Sequence, residues 1–169
     1  VLMLLWDYEM ASERENLAIL SLPERLALAV VAIEWTLETM SPPIQDGATL
    51  AFLDKALRAF RHAVAENRGS VSEQPELVEE FDDVYEGTEE PGTAHLLSAV
   101  MECCEASDGL NAEGAYNVLS YCYEGAMDRE DIADLNVEAE RNNRRCNSVI
   151  LYQRDLVRSA LIRGGHKGF

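Results

Sequence analysis

Residues 21 to 43 read SLPERLALAVVAIEWTLETMSPP, a helix with both of its ends written into the chain. Ser21 and Glu24 make the S-x-x-E capping box, in which each side chain satisfies an end amide, and Pro23 fits the first turn. Leu26, Val30, Ile33, Leu37 and Met40 keep helical spacing. The run LALAVVAI at 26 to 33 is apolar on nearly every side, so this helix is expected at the centre of the core. Ser41, Pro42 and Pro43 stop it, because proline lacks the amide and bars the preceding residue from helical geometry.

Working outward, the same period recurs. Ser12 with Glu15 signals another capping box just upstream. After Asp46, Leu50, Leu53, Leu57, Phe60 and Val64 form a stripe that ends near Gly69. Thr93 opens a helix carrying Leu96, Leu97, Val100, Met101 and Cys104, which Ser107, Asp108 and Gly109 end. Asn111 caps the next, with Ala115, Leu119, Cys122 and Ala126 inward.

From Asp128, with Asp131 three residues on, a segment without Gly or Pro runs to about Arg163. Its inner positions Ile132, Leu135, Ala139, Asn142, Cys146, Val149, Gln153, Leu156 and Ala160 resemble a coiled-coil seam. Unbroken, it would be a rod of roughly 45 to 50 Å. RNNRRCN at 141 to 147 holds poor helix formers, so a break at Asn142 and Asn143 stands equally with continuity. No β-type alternation competes. The expectation is an all-α, single-domain helical bundle of six to eight helices over residues 1–169, with 1–11 and 164–169 as flexible termini.

With 169 residues, 47% of them apolar, the chain can close one core without metals or disulfides. Cys103, Cys104, Cys122 and Cys146 contain no CxxC pair and read as reduced, buried thiols of a cytoplasmic protein. VLMLLW at the start is too short and wrongly flanked for a signal peptide or membrane span.

The net charge of −17 opposes binding to nucleic acid or to anionic membranes. It is also uneven. Residues 1–68 carry −4 and 129–169 carry +2, whereas Gly69 to Asp128 contains fifteen carboxylates and no Lys or Arg. A general halophilic bias would spread the acids over the whole surface.

The densest part is EQPELVEEFDDVYEGTEEPG at 73–92, with nine carboxylates. Leu77, Val78, Phe81, Val84 and Tyr85 recur there at helical spacing, so Glu76, Glu79, Glu80, Asp82, Asp83 and Glu86 should surround a narrow apolar stripe. Like-charge neighbours at i+3 and i+4 each cost about 0.2 to 0.5 kcal/mol. Three things could face them: Arg141, Arg144, Arg145, Arg154 and Arg158 folded back from the last segment, an external cationic surface, or water alone. Tyr116, Tyr121 and Tyr123 are expected near Phe81 and Tyr85, as core packing or as contact area at an interface.

No catalytic pattern is found. HExxH, GxSxG and GxxxxGK[ST] are absent, and His62, His95 and His166 lack the Glu three residues upstream that di-iron bundles need. Asp128, Asp131 and Asp134 do not make an EF-hand. His95 and Cys104, nine residues apart, lie about 13 Å apart along a helix axis, too far for one metal. No catalytic residue, cofactor or metal is assigned, and the chain is read as a non-enzyme.

In size, helicity and placement of charge, the acidic stretch and the base-free segment around it resemble the small acidic all-α immunity proteins that protect bacteria from toxins. That resemblance implies a cytoplasmic inhibitor of a cationic toxin domain, often a nuclease. The partner-binding residues expected are Glu76, Glu79, Glu80, Asp82, Asp83, Tyr85, Glu86, Glu89 and Glu90. The alternatives are a helical structural or assembly subunit self-associating through 128–163, and a nucleic-acid mimic whose carboxylates imitate phosphates.

Overall fold

A computed structural model describes residues 3–166 and is helical throughout, with no strand among the described residues. Nine helices follow one another among the described residues: α1 (Leu5–Met10), α2 (Glu13–Ile19), α3 (Leu22–Glu38), α4 (Gly47–Ala65), α5 (Pro75–Gly87), α6 (Thr93–Glu105), α7 (Ala112–Asp128), α8 (Val137–Arg141) and α9 (Arg144–Arg163). The count exceeds the expected six to eight because it includes two very short helices, α1 and α8.

The helix at 21–43 behaves as its sequence requires. The Glu24 amide donates to Ser21 Oγ at 3.3 Å and the Ser21 amide to Glu24 Oε2 at 2.8 Å, closing the capping box. Leu26, Leu28, Ala29, Val30, Ala32 and Ile33 are buried. α3 packs on α4, α6, α7 and α9, and α7 packs on α2, α3, α6 and α9, so these two helices form the centre. α5 rests outside α4 and α6, while α9 covers α3 and α7 from the other direction.

The upstream Ser12–Glu15 box does not form. Ser12 sits at φ −67°, ψ −18°, in helical rather than extended geometry, and its side chain makes no cap. A helix starts there all the same, with Ser12 in the N-cap position of α2, and α1 joins it through the near-helical corner Ala11–Ser12.

Residues 1–11 were expected as a flexible end, yet Leu4, Leu5, Trp6 and Met10 are buried in the core. Trp6 Nε1 donates to Gln153 Oε1 at 2.7 Å, and Gln153 Nε2 donates to the Leu119 carbonyl at 2.9 Å. Of the apolar run that opens the chain, Leu5 and Trp6 enter α1, and both are buried in the core. At the other end, Gly164, Gly165 and His166 follow α9, and His166 Nε2 lies 3.0 Å from Glu24 Oε2. The remainder of the expected terminus, 167–169, and residues 1–2 fall outside the described residues.

The segment 128–163 is not one rod. Asp128 is the last residue of α7, and Asp131 and Asp134 take left-handed φ of 51° and 49° in the connection that follows. The break at Asn142 and Asn143 is present. Asn142 is the C-cap of α8, and the Asn143 side chain caps α9 by accepting from the Cys146 amide at 2.9 Å. Poor helix formers there are helix punctuation. Of the proposed seam, Cys146, Val149, Gln153 and Ala160 are buried within the chain, whereas Leu135 and Asn142 are exposed.

The corner between α5 and α6 has its own device. Gly92 takes φ +85°, and a Cβ built on it would stand 2.1 Å from the Gly125 carbonyl oxygen of α7. Only glycine permits both the left-handed turn and that approach. The Gly92 amide then donates to Asp128 Oδ2 at 2.9 Å, tying the start of α6 to the end of α7.

Candidate binding face on α5

The acidic stretch folds as the helix its spacing predicts. Pro75 and Glu76 occupy its first turn, where a missing amide and a negative charge both suit the helix start. Leu77 is fully buried, and Phe81 and Val84 pack partly against the core. The Phe81 ring lies 6.2 Å from Phe52 of α4 and 5.3 Å from Tyr85. One narrow stripe therefore holds the helix down.

The rest of α5 faces solvent. Val78 and Tyr85, seven residues apart on one side, are 52% and 42% exposed. Glu76, Glu79, Glu80, Asp82, Asp83 and Glu86 are exposed around them, as is Glu89 just beyond the helix. Among the described residues, Glu80 alone of the α5 carboxylates forms an ion pair, with Lys55 Nζ at 2.8 Å, and Glu76 adds to the field that raises the Lys55 pKa.

Glu90 is placed differently from its neighbours. Its carboxylate accepts from the Gln45 amide (3.0 Å) and the Asp46 amide (2.8 Å), and Arg129 Nη2 lies 3.3 Å away. These amides, followed by Arg129, hold its carboxyl below the usual range. The Arg129 side chain is only 5% exposed and donates to the carbonyls of Pro42, Pro43 and Pro91 as well. Glu90 is thereby committed to fastening the loop after α3 to the corner before α6. The sequence offers no sign of this, because its partners lie some 40 residues away in either direction.

The arginines of the last segment do not fold back on α5. Arg141 and Arg154 reach Glu9 at 3.6 and 3.3 Å, Arg154 also approaches Glu13 at 3.9 Å, and Arg145 lies over the Trp35 ring at 5.0 Å. Arg144 and Arg158 are exposed and make no ion pair among the described residues. α9 is separated from α5 by the central helices, so the distance is set by the fold.

The tyrosine group also divides. Tyr121, on α7, feels Glu102, Glu124 and Tyr85, and burial followed by those groups raises its phenol. Tyr116 instead packs 4.7 Å from Trp6, beneath Arg14, and Tyr123 is buried with its hydroxyl donating to Glu140 Oε1 at 2.6 Å. Only Phe81, Tyr85 and Tyr121 belong to the acidic side.

Glu140 is a buried carboxylate that the sequence does not single out. Its Oε1 also accepts the Leu5 amide at 3.1 Å, while Oε2 is buried without a partner. It anchors α1 to α7 and α8. Burial pushes the Cys104 and Cys122 thiols up to about 12 and the Cys103 and Cys146 thiols upward as well. Thiols held that high carry almost no thiolate at neutral pH.

Between α6 and α7, Glu102, Glu105 and Asp108 line an open cleft of about 290 Å³ with Gly109 and Asn111. No group of three or more His, Cys, Asp or Glu among the described residues is arranged to hold a metal, and no described helix is long and apolar enough to cross a membrane. What α5 presents is a ridge of exposed carboxylates, all but Glu80 without an ion pair among the described residues, around the exposed side chains of Val78 and Tyr85. The chain matches no protein-family model, no curated protein and no solved structure.

Proposed function

We propose that the chain is a non-catalytic binding protein that neutralises a cationic partner through α5, in the manner of an immunity protein inhibiting a basic toxin domain such as a nuclease. The observation that supports this most is the state of Glu79, Asp82, Asp83, Glu86 and Glu89, which are exposed and without an ion pair among the described residues. Five carboxylates in and just after one helix repel one another, and a cationic surface would reverse the sign of that energy. Val78 and Tyr85 stand among them and would supply the desolvated centre of a contact. Glu76 and Glu80 belong to the same face, Glu80 with Lys55 beside it. Glu90 is not part of the contact.

The partner is sought by co-expressing cationic toxin domains from the same genome and scoring survival. Glu79→Gln, Glu80→Gln, Asp82→Asn and Asp83→Asn together should then slow association at low salt by about tenfold or more and flatten its salt dependence, measured by stopped-flow. Unchanged association and affinity would remove α5 from the contact.

A further inference from the structure

α9 presents a second unpartnered ridge, on the layer away from α5. Leu151 and Ile162 are 61% and 77% exposed, the two most exposed large hydrophobic residues described. Asp155 and Arg158 lie between them, exposed, and neither makes an ion pair or hydrogen bond among the described residues. At 100° per residue, the four side chains fall within a sector of about 60°. Cys146, Gln153 and Val157 occupy the opposite side, in the core. A soluble protein seldom leaves such a stripe uncovered without use for it.

The order along the ridge is apolar, acid, base, apolar, and it is symmetric about a point between Leu156 and Val157. If two copies of α9 lie antiparallel about that point, Leu151 of one meets Ile162 of the other. Asp155 meets Arg158 in the same register, and the two-fold axis repeats both pairs. This is the self-complementarity that a closed, isologous dimer requires. We propose that the outer ridge of α9 is a homodimer interface whose occupant is a second copy of this chain, with Leu151–Ile162 and Asp155–Arg158 as its reciprocal contacts.

Charge places the interface here as well. α9 carries five arginines and one aspartate in a chain of net charge −17. Contact through α9 therefore joins the least acidic surfaces and keeps the two α5 faces apart, while repulsion between the acidic bodies is screened beyond about 8 Å at physiological salt. Val31, 41% exposed, and the half-buried Trp35–Tyr152 stack (centroids 3.9 Å apart) flank the ridge on the α3 side and extend it. One helix pair with such flanks is small beside the roughly 1,200 to 2,000 Å² of a standard interface, so the dimer is weak and depends on concentration. It uses the opposite side of α9 from Cys146, Val149, Gln153 and Ala160 of the seam at 128–163, which are buried within the chain.

Sedimentation velocity of the full chain should show the mass rising with concentration from 18.8 kDa toward twice that value. Asp155→Arg opposes arginine to arginine twice, and Arg158→Asp opposes acid to acid twice, so each variant alone should dimerise about tenfold more weakly or worse. An equimolar mixture of the two should recover a heterodimer, because every arginine then meets an aspartate. Both positions are exposed, and unchanged helical circular dichroism would confirm that the variants fold. A wild-type chain that stays monomeric at every concentration, self-association that neither reversal weakens, or a mixture that recovers nothing would each overturn the proposal. None of these results bears on α5, which stays free in the dimer.

Discussion

A carboxylate in this chain takes its role from what the fold brings to it, and Glu90 and Glu140 are the clearest cases. Glu90 lies in the acidic run at 73–92, yet two backbone amides and Arg129 claim it. Because its folded pKa is lowered, its contribution to stability is complete above the ordinary value near 4.5 and is lost as pH falls through the folded value. Glu90→Gln should therefore weaken the protein at neutral pH and make its stability less sensitive to pH below about 4.5, read from urea midpoints across an acid series. Glu140 answers to Tyr123 and Leu5. Tyr123→Phe would leave the buried carboxylate with a single donor and should cost about 1 to 3 kcal/mol in equilibrium unfolding. Neither role is legible in the sequence, since spacing reports which residues share a face and is silent on partners from distant helices. The same limit explains the tyrosines: three of them fall within eight residues, and only Tyr121 turns toward Tyr85.

At the scale of the element, periodicity carried α3, α4, α5, α6, α7 and the second half of the last segment. Those are the helices long enough to repeat an apolar position several times. α1 was missed because six residues hold barely one such repeat, and the Ser12 box failed because its pattern needs an extended residue where the chain continues nearly helical. The connection after α7 was misread for a related reason. Asp131 and Asp134 take left-handed φ, which aspartate tolerates better than most residues and which no local pattern announces. Asn142 and Asn143, by contrast, were informative, because asparagine is poor inside a helix and good at its ends. The junction of α6 with α7 depends on Gly92. Gly92→Ala would force a left-handed alanine against the Gly125 carbonyl and should destabilise the fold by about 2 to 4 kcal/mol, measured by thermal or urea unfolding.

The whole molecule is polarised, and this was the most legible property of all. The base-free stretch from Gly69 to Asp128 supplies α5, α6 and the central α7, and the arginine-bearing stretch supplies α9, which lies across the centre from α5. The sequence left open whether the arginines would neutralise α5. The fold keeps them apart, so each outer helix is free to meet a different surface. A bundle built this way also carries its own reporter of opening. Cys103 in α6 and Cys122 in α7 lie at 1% and 0% exposure, Cys146 at 1% in α9, and Cys104 is the one half-covered thiol. A water-soluble thiol reagent can reach the first three only when the surrounding helices separate. Their rates of modification would trace the opening of the centre and of α9 as separate events, and a ligand on either outer face would slow one clock or the other according to which side it grips.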